Sequence, residues 1–200
     1  MFLHYCLPLL TLFLLSGASD PGCEELIKPV EDKSKLSGKW IFHFGTSDSA
    51  EQLKEFKTLQ SYWAEQSPIP DSNDIFVRYA DKIDGKCYHG NITATFLGNS
   101  TKAAYHFNSS DHEHIGEYLA TCPDCLLWTD NYVSWVKGET RKSRSFFFYT
   151  KNGTLDASHL EVLKKQAACL NFTLDFHFTN TIDLCPDEKE AAADARQEEQ

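Results

Sequence analysis

Cysteine is the residue type that most directly suggests chemistry in this chain. Cys122 and Cys125 enclose Pro123 and Asp124 in the spacing C-x-x-C, which is also the spacing of thiol–disulfide exchange motifs. Exchange requires a helix N-terminus and a βαβ setting that lower the pKa of one thiol. Here the motif lies between two strand-like runs of an acidic chain, so the sequence favours a structural disulfide over a redox site.

Histidine offers a second possible chemistry. His112 and His114 are two residues apart, with His106 nearby, and on a strand alternate residues share a face and could chelate a metal ion. The spacing fixes no third ligand. We therefore interpret this stretch as a solvated loop beside Asn108, and we expect neither a metal site nor a cofactor.

Catalysis by a nucleophile has little support in the sequence. No Ser/His/Asp arrangement stands at a recognisable motif. A cysteine nucleophile would require a free thiol, and every cysteine after Cys6 has a plausible disulfide partner. The sequence therefore predicts a binding protein rather than an enzyme.

The N-terminal residues indicate export. Leu7–Leu15 is an almost wholly apolar run, followed by the small residues Gly17, Ala18 and Ser19. The run is too short to span a bilayer but suits the apolar part of a secretory signal. We expect residues 1–19 to be a cleaved signal, residues 20–185 to form one domain, and residues 186–200 to be an acidic disordered tail.

Cysteine number and glycosylation motifs agree with an extracellular location. Six cysteines remain after the signal, which suggests three disulfides, although six cysteines allow 15 pairings and spacing cannot choose among them. Five asparagines stand in N-x-[ST] motifs, which predicts a heavily glycosylated surface. They are Asn91, Asn99, Asn108, Asn152 and Asn171.

The net charge excludes two classes of partner. The chain carries a formal charge of −10, and an acidic protein is a poor partner for nucleic acid or for anionic lipid. No second long apolar run follows the signal. We expect no nucleic-acid partner, no membrane insertion and a monomeric protein.

The remaining chain reads as strands separated by turn residues. Eight strand-like runs precede one amphipathic helix, which we expect over 156–170, and a ninth run follows over 172–179. A shorter helix is predicted within 47–56. This order is typical of an all-β, up-and-down antiparallel barrel of eight strands. The eight runs cover 39–45, 59–66, 74–80, 87–96, 101–107, 115–122, 125–136 and 143–150.

A closed eight-stranded barrel has an interior that can hold one small ligand. Trp40, at the start of the first strand, can seal the base of such a barrel with a large apolar ring. Gly38, two residues earlier, would let the incoming chain cross the barrel floor without a Cβ atom in the way.

These features together resemble the lipocalin family. Gly38-Lys39-Trp40 matches the G-x-W signature of its first strand, and Trp128–Tyr132 resembles its second motif. The third family motif, an arginine after the eighth strand, is not evident, because the run ends in Lys151 and Arg144 comes ahead of the strand; this departure suggests a divergent branch. Within the family the chain is similar to the α1-acid glycoprotein branch, through D-I-F-V-R-Y, A-x-C-L and C-P-D-E-K-E.

The resemblance implies disulfides and a ligand site. It implies the pairs Cys23–Cys169 and Cys87–Cys185, which leave Cys122 with Cys125. It also places Arg78 and Tyr149 in the cup, with Phe147 on the same face as Tyr149 and with Phe146 and Phe148 on the other. The expected ligand-binding set is Trp63, Phe76, Arg78, Tyr88, Lys102, Tyr118, Tyr132, Phe147 and Tyr149.

Two functions from different classes are compatible with these residues. The first is an extracellular carrier, in blood plasma or a similar fluid, for small hydrophobic or amphipathic molecules, including cationic toxin- or drug-like ones. The second is an immunomodulatory glycoprotein of the acute-phase type that acts on protein partners through its surface and glycans.

Overall fold

The computed structural model describes residues 22–107 and 109–187. The predicted signal, Asn108 and most of the predicted tail lie outside the described residues. The strands are β1 Gly38–Ser47, β2 Leu59–Pro68, β3 Asp74–Ile83, β4 Lys86–Leu97, β5 Ser100–Phe107, β6 Ser110–Leu119, β7 Cys125–Val136, β8 Glu139–Thr150 and β9 His177–Phe178. The α-helices are α1 Cys23–Leu26, α2 Ala50–Phe56 and α3 Ala157–Cys169.

The strands close into a barrel. Each of β1 to β7 pairs antiparallel with the next strand, and β8 pairs antiparallel with β1, so these eight strands form a closed sheet. β9 adds to the outside of β1, where Phe178 is opposite Phe44. The predicted eight-stranded up-and-down barrel, with one later helix and a ninth strand, is confirmed.

Tight turns fix the register of the long hairpins. Asp84 and Gly85, between β3 and β4, both have positive φ (51° and 73°), and so do Lys137 and Gly138 between β7 and β8 (51° and 85°). Two successive positive φ values match the right-handed twist of the flanking strands, which is why such two-residue turns are favoured in hairpins.

Helix α3 packs on the outer face of the barrel. Its N-terminus is capped by Asp156, whose carboxylate accepts a hydrogen bond from the Ser158 backbone N–H at 2.7 Å, as is usual at this position. Leu163 and Ala167 are fully buried against Phe146 and Phe148 of β8. This hydrophobic cluster between α3 and the outer face of β8 therefore stabilises the barrel wall and leaves the barrel interior unfilled.

Trp40 seals one end of the barrel. Its side chain is 2% exposed, packs with Leu36 and Leu126, and donates from Nε1 to the Leu36 carbonyl at 2.7 Å. The role of Gly38 differs from the expectation, because a Cβ there would meet nothing within 4 Å. Gly38 has φ +106°, so glycine is favoured by backbone conformation and not by lack of space.

Three disulfides tie the ends of the chain to the barrel. Cys23–Cys169 joins α1 to the end of α3, and Cys87–Cys185 joins β4 to the segment after β9. Cys122–Cys125 closes the β6–β7 connection. These are the pairs that the resemblance implies. Cys23–Cys169 and Cys87–Cys185 join residues that are 146 and 98 positions apart in the sequence.

Two predicted boundaries differ from the structure. β9 is only two residues long, whereas the alternating run suggested eight. β6 begins at Ser110, so His112 and His114 lie on a strand and the prediction of a solvated loop is wrong. No helix of the described residues is long and apolar enough to cross a membrane.

Candidate ligand-binding site

An open cavity lies inside the barrel at the end opposite Trp40. We call it the cup. Its volume is about 170 Å³, which is close to that of an engineered apolar cavity that admits benzene and smaller than the pockets of drug-sized ligands. The cup therefore has room for one ring or a small head group. Its lining is Phe42, Phe56, Leu59, Tyr62, Asp81, Phe147 and Tyr149.

Aromatic rings from three adjacent strands meet around the cup. Phe42 of β1 lies with its ring centroid 5.4 Å from that of Tyr149, 5.9 Å from Phe147 and 6.2 Å from Tyr62. These separations are typical of edge-to-face and tilted aromatic pairs. Because the rings pack on one another, they form the cup before any ligand arrives, which lowers the entropic cost of binding.

Helix α2 lies over the mouth of the barrel. Phe56 at its end is 5.2 Å from the Phe147 ring and lines the cup. Ser49 caps the helix by accepting from the Gln52 N–H, and Glu51 forms an ion pair with Arg141 of β8. α2 therefore closes one side of the opening and adds an aromatic side chain to the site.

Asp81 is the charged residue of the cup. It follows Tyr79 on the inner face of β3 and lies opposite Tyr62 and Tyr88 on the neighbouring strands. Burial raises the pKa of its carboxyl group to about 6, because the charged form is poorly solvated there. Among the described residues its carboxylate has no hydrogen-bonding or ionic partner, so near neutral pH the cup contains an uncompensated negative charge.

The tyrosines beside Asp81 are neutral phenols. Burial raises the pKa of Tyr62 and Tyr149 well above 10, and nearby acidic groups, Asp81 among them, add to that effect. Burial also raises the pKa of Tyr79. Neutral rings around a carboxylate form an environment that suits an organic cation, since cations are attracted both to the carboxylate and to aromatic faces.

Two glycines let rings lie flat on the inner wall. A Cβ at Gly90 of β4 would come within 2.5 Å of the Tyr79 ring, and a Cβ at Gly116 of β6 would come within 2.3 Å of the Trp128 indole nitrogen. A side chain at Gly90 would displace the Tyr79 ring, and one at Gly116 would clash with the Thr129 carbonyl oxygen as well as with the Trp128 ring. The space inside the barrel therefore depends on these glycines as well as on the aromatic residues.

Five predicted ligand-binding residues have inward register. Phe147 and Tyr149 line the cup, as the alternation along β8 suggested. Tyr118 and Tyr132 are on the inner wall of β6 and β7, where Tyr118 stacks with Trp128 and Tyr132 lies 4.8 Å from the His114 ring. Tyr88 has inward register but is 52% exposed, so it stands at the rim.

The other four predicted residues face outward. Trp63 packs with Ala80 and Cys185 and donates from Nε1 to the Cys185 carbonyl at 2.8 Å. Arg78 forms ion pairs with Glu65 and Asp187, and Phe76 shares its face. Lys102 pairs with Glu113 at 2.6 Å. The expectation that Trp63, Phe76, Arg78 and Lys102 contact the ligand is therefore corrected.

For Phe76 and Arg78, the reason is which face of β3 turns inward. Alternation separates Ile75, Val77, Tyr79 and Asp81 from Phe76, Arg78 and Ala80, but both sets contain apolar and charged side chains. Packing of the Trp63 ring against Ala80 and Cys185 fixes the second set outside. A shift of phase by one residue exchanges the two faces of a strand, and so it replaces a cation in the cup with a carboxylate.

Several residues of the site were missed by sequence reasoning. Phe42 could have been predicted, because it is two residues after Trp40 on β1 and alternate residues of a strand share a face. To place Tyr62, Tyr79, Asp81 and Trp128 in the site, one must know which face of each strand turns inward. Phe56 required the position of α2, which no local pattern gives.

The predicted histidine pair lies on the inner wall and not in solvent. His112 Nδ1 is 2.7 Å from the Tyr132 hydroxyl, and its Nε2 is 2.7 Å from the Ser110 hydroxyl. His114 Nδ1 is 2.7 Å from Asp130 Oδ2. Because these imidazole nitrogens have protein partners, they form a hydrogen-bonded wall rather than an open set of metal ligands.

One group of possible metal ligands occurs among the described residues. Cys122, Cys125 and His159 place their ligand atoms within 4.8 Å of one another. The two sulfur atoms are bonded to each other, so they are not available as thiolate ligands in this state.

A larger cavity, of about 630 Å³, lies at the closed end. It is lined by the N-terminal segment, the Cys122–Cys125 loop and the outer side of Trp40. It is separated from the cup by the Trp40 floor, and it contains none of the predicted ligand-binding residues. We therefore assign the candidate site to the smaller cavity inside the barrel.

The described glycosylation motifs are on the surface. Asn91, Asn99, Asn152 and Asn171 are all exposed, and Asn108 lies outside the described residues. Exposure is the structural requirement for attachment of a glycan to these asparagines.

Comparison with solved structures identifies the fold. An odorant-binding protein matches with a TM-score of 0.62 and 14% identity over 80% of this chain and 99% of its own. The bovine lipocalin allergen Bos d 2 matches with a TM-score of 0.62 and 17% identity over 78% and 99%. The chain has the lipocalin fold.

A siderocalin described as functioning through dual ligand specificities is a further neighbour of the lipocalin barrel, with a TM-score of 0.59 and 16% identity over 77% of this chain and 95% of its own. No family model matches the sequence, and no curated protein matches it. The likeness therefore concerns the fold, and the site must be argued from its own residues.

Proposed function

We propose that this chain is a secreted carrier glycoprotein that binds small hydrophobic or amphipathic molecules in the cup, with a preference for organic cations. The observation that carries the proposal is Asp81, a carboxylate with no partner among the described residues, which lies among the rings of Phe42, Tyr62 and Tyr149 in an open cavity. The binding free energy would come from burial of apolar ligand surface, at ~25 cal/mol per Å² before association costs.

The proposal is consistent with the resemblance to α1-acid glycoprotein and to its fish relatives, which are described as saxitoxin/tetrodotoxin-binding or tributyltin-binding proteins. Secretion into a fluid such as blood plasma is supported by three disulfides and by four exposed glycosylation motifs. We propose the division into a signal (1–19), a lipocalin domain (20–185) and an acidic tail (186–200), and a monomeric carrier without enzymatic activity.

The test uses two ligands of the same shape. Benzyltrimethylammonium is a fixed cation, and neopentylbenzene has the same outline without charge. We expect the cation to bind more tightly by about tenfold or more, and the Asp81→Asn variant to remove most of that difference. Asp74→Asn is the matched control, because Asp74 is on the same strand but bonds to Thr95 and Ser72.

The outcome separates two errors. Equal binding of both ligands by the wild type would refute the preference for cations but not the carrier function. Absence of binding by either ligand, measured by quenching of tryptophan fluorescence, would refute the cup as the site.

The glycan-dependent alternative has one specific observation in its favour, the four exposed asparagines in glycosylation motifs. Enzymatically deglycosylated protein distinguishes the two functions. A carrier retains ligand binding in this form. A protein that acts through glycans loses its effect on protein partners, whether or not a tight ligand fills the cup.

A further inference from the structure

Beyond the cup, the inner wall contains buried polar atoms without hydrogen-bond partners. Five side-chain atoms of this kind occur among the described residues, and four of them lie on inward-facing positions of β2, β7 and β8. These four are Gln66 Oε1, Trp128 Nε1, Asp130 Oδ1 and Ser143 Oγ. Such atoms are rare in folded proteins, and their concentration on one wall requires an explanation.

Three of these residues form a continuous strip. The Gln66 side chain is near enough to the Tyr118 hydroxyl to affect its pKa, and the Tyr118 ring stacks with that of Trp128 at 6.2 Å. Asp130 follows on the same face of β7 as Trp128, opposite Gly116 of β6. We call Gln66, Trp128 and Asp130 the polar strip.

Asp130 is the centre of the strip. Its side chain is 3% exposed, and Oδ2 accepts a hydrogen bond from His114 Nδ1 at 2.7 Å, while Oδ1 has no partner. A buried carboxylate that is only half satisfied destabilises the fold. The barrel therefore keeps an acceptor pointing into its interior that its own side chains do not use.

The strip is connected to the cup. The Trp128 ring stacks at 5.5 Å on Phe147, which lines the cup. Tyr149 also lines the cup, and its hydroxyl is influenced electrostatically by both Asp81 and Asp130. A ligand anchored at Asp81 would therefore reach the strip by extending past Tyr149.

We propose that the polar strip is a second subsite that recognises a hydroxyl group on the ligand. A hydroxyl group both donates and accepts, which are the two roles that Asp130 Oδ1 and Trp128 Nε1–H leave open. The proposal rests on the proposed function, because the charged end of the same ligand occupies Asp81. The ligand class is an aromatic amine with a hydroxyl on the side of the ring remote from its ammonium group.

The test compares tyramine with phenethylamine, which differ only by that hydroxyl. We expect the wild type to bind tyramine about tenfold more tightly in calorimetric titrations. Asp130→Leu removes the acceptor, and Trp128→Phe removes the donor while keeping an aromatic ring. In each variant the ratio of the two affinities should fall towards one.

Asp81→Asn is the control for the anchoring end. It should weaken both amines by a similar factor and leave their ratio unchanged. A second readout needs no core variant to fold well: the indole N–H resonance of Trp128 should shift with tyramine and stay in place with phenethylamine. That resonance is assigned in the wild-type protein by sequential NMR assignment.

The outcomes are distinguishable. If the wild type binds both amines equally and the indole resonance does not move, the strip holds water only and this inference is wrong, although the cup can still bind cations. If neither amine binds, the proposed function itself fails. A ratio near ten that Trp128→Phe leaves intact would also overturn the assignment of the donor.

Discussion

The two faces of the barrel wall use similar residues for different purposes. On the outer face of β3, Arg78 forms ion pairs with Glu65 and Asp187, and on the outer face of β8, Phe146 and Phe148 are completely buried beneath α3. On the inner face of the same strands, the Asp81 carboxylate has no hydrogen-bonding or ionic partner among the residues that the structure describes. Phe147 and Tyr149 border an open cavity. These outer groups are satisfied by contacts within the fold, whereas these inner groups border open space.

The largest expected effect is the loss of outer packing. Phe148 is fully buried and stacks on Phe44 at 5.0 Å, so Phe148→Ala should lower the free energy of unfolding by about 3–5 kcal/mol. Phe147→Ala, one residue earlier, should lower it less, because Phe147 already borders a cavity. Urea denaturation of both variants measures the difference, and equal losses would contradict the division between the faces.

The second effect concerns charge and ligand binding. Asp81→Asn should weaken binding of benzyltrimethylammonium by about tenfold or more, since it removes the charge that faces the ligand. Arg78→Met, three residues away on the opposite face, should leave the dissociation constant unchanged. Fluorescence titration checks both variants. A large effect of Arg78→Met would mean that the phase of β3 differs from the one described.

The third effect is a pH dependence. Because the pKa of Asp81 is about 6 in the free protein, affinity for a fixed cation should be full at pH 7.5 and fall about tenfold by pH 5, as the carboxylate is protonated. In Asp81→Asn this decline should disappear. Titrations at a series of pH values with a permanently charged ligand test this, since the ligand itself does not titrate.

The raised pKa of Asp81 affects the stability of the fold in the opposite direction to ligand affinity: stability falls as pH rises. A raised pKa means that folding favours the protonated form of Asp81, so its stabilising contribution is present below about pH 4 and is lost as pH rises through about 6. Asp81→Asn should therefore be more stable than the wild type at pH 7.5 and similar to it at pH 4. If the difference in unfolding free energy between Asp81→Asn and the wild type is the same at pH 4 and at pH 7.5, the pKa of Asp81 is not raised by folding.

The smallest effect is that of the outer ion pair. Arg78→Met should cost no more than about 1 kcal/mol of stability, because the pairs of Arg78 with Glu65 and Asp187 are partly exposed and screened by salt. Raising the salt concentration should reduce the difference between variant and wild type. A loss comparable to that of Phe148→Ala would be inconsistent with a solvated pair.

Local patterns predicted much of the fold because they depend on neighbours in sequence. Strand runs and turn residues gave eight barrel strands, and the apolar spacing of Leu160, Leu163 and Ala167 gave the helix that packs on them. β8 contains four consecutive aromatic residues, so either choice of inner face would have placed two aromatic rings inside the barrel. Phe147 and Tyr149 were placed correctly. The predicted strand at 172–179 shortened to two residues because only those pair with β1.

The candidate site was predicted less well because it depends on which face of each strand turns inward. Trp63, Phe76, Arg78 and Lys102 lie on strands whose two faces are similarly mixed, so alternation alone could not orient them. The histidines on β6 were assigned to a loop because His112, Glu113 and His114 are polar. Polar residues inside a barrel become understandable only when their partners, such as Asp130 and Tyr132, come from other strands.

By itself the sequence determined that the chain would form a closed barrel with an aromatic interior, since alternation, turns and ring content are properties of short segments. Only the tertiary structure decided that the charge in that interior is negative. The deciding contact is the burial of Trp63 against Ala80 and Cys185, which turns Arg78 to solvent and Asp81 to the cup. Such a contact joins residues more than 100 positions apart, and no local pattern carries that information.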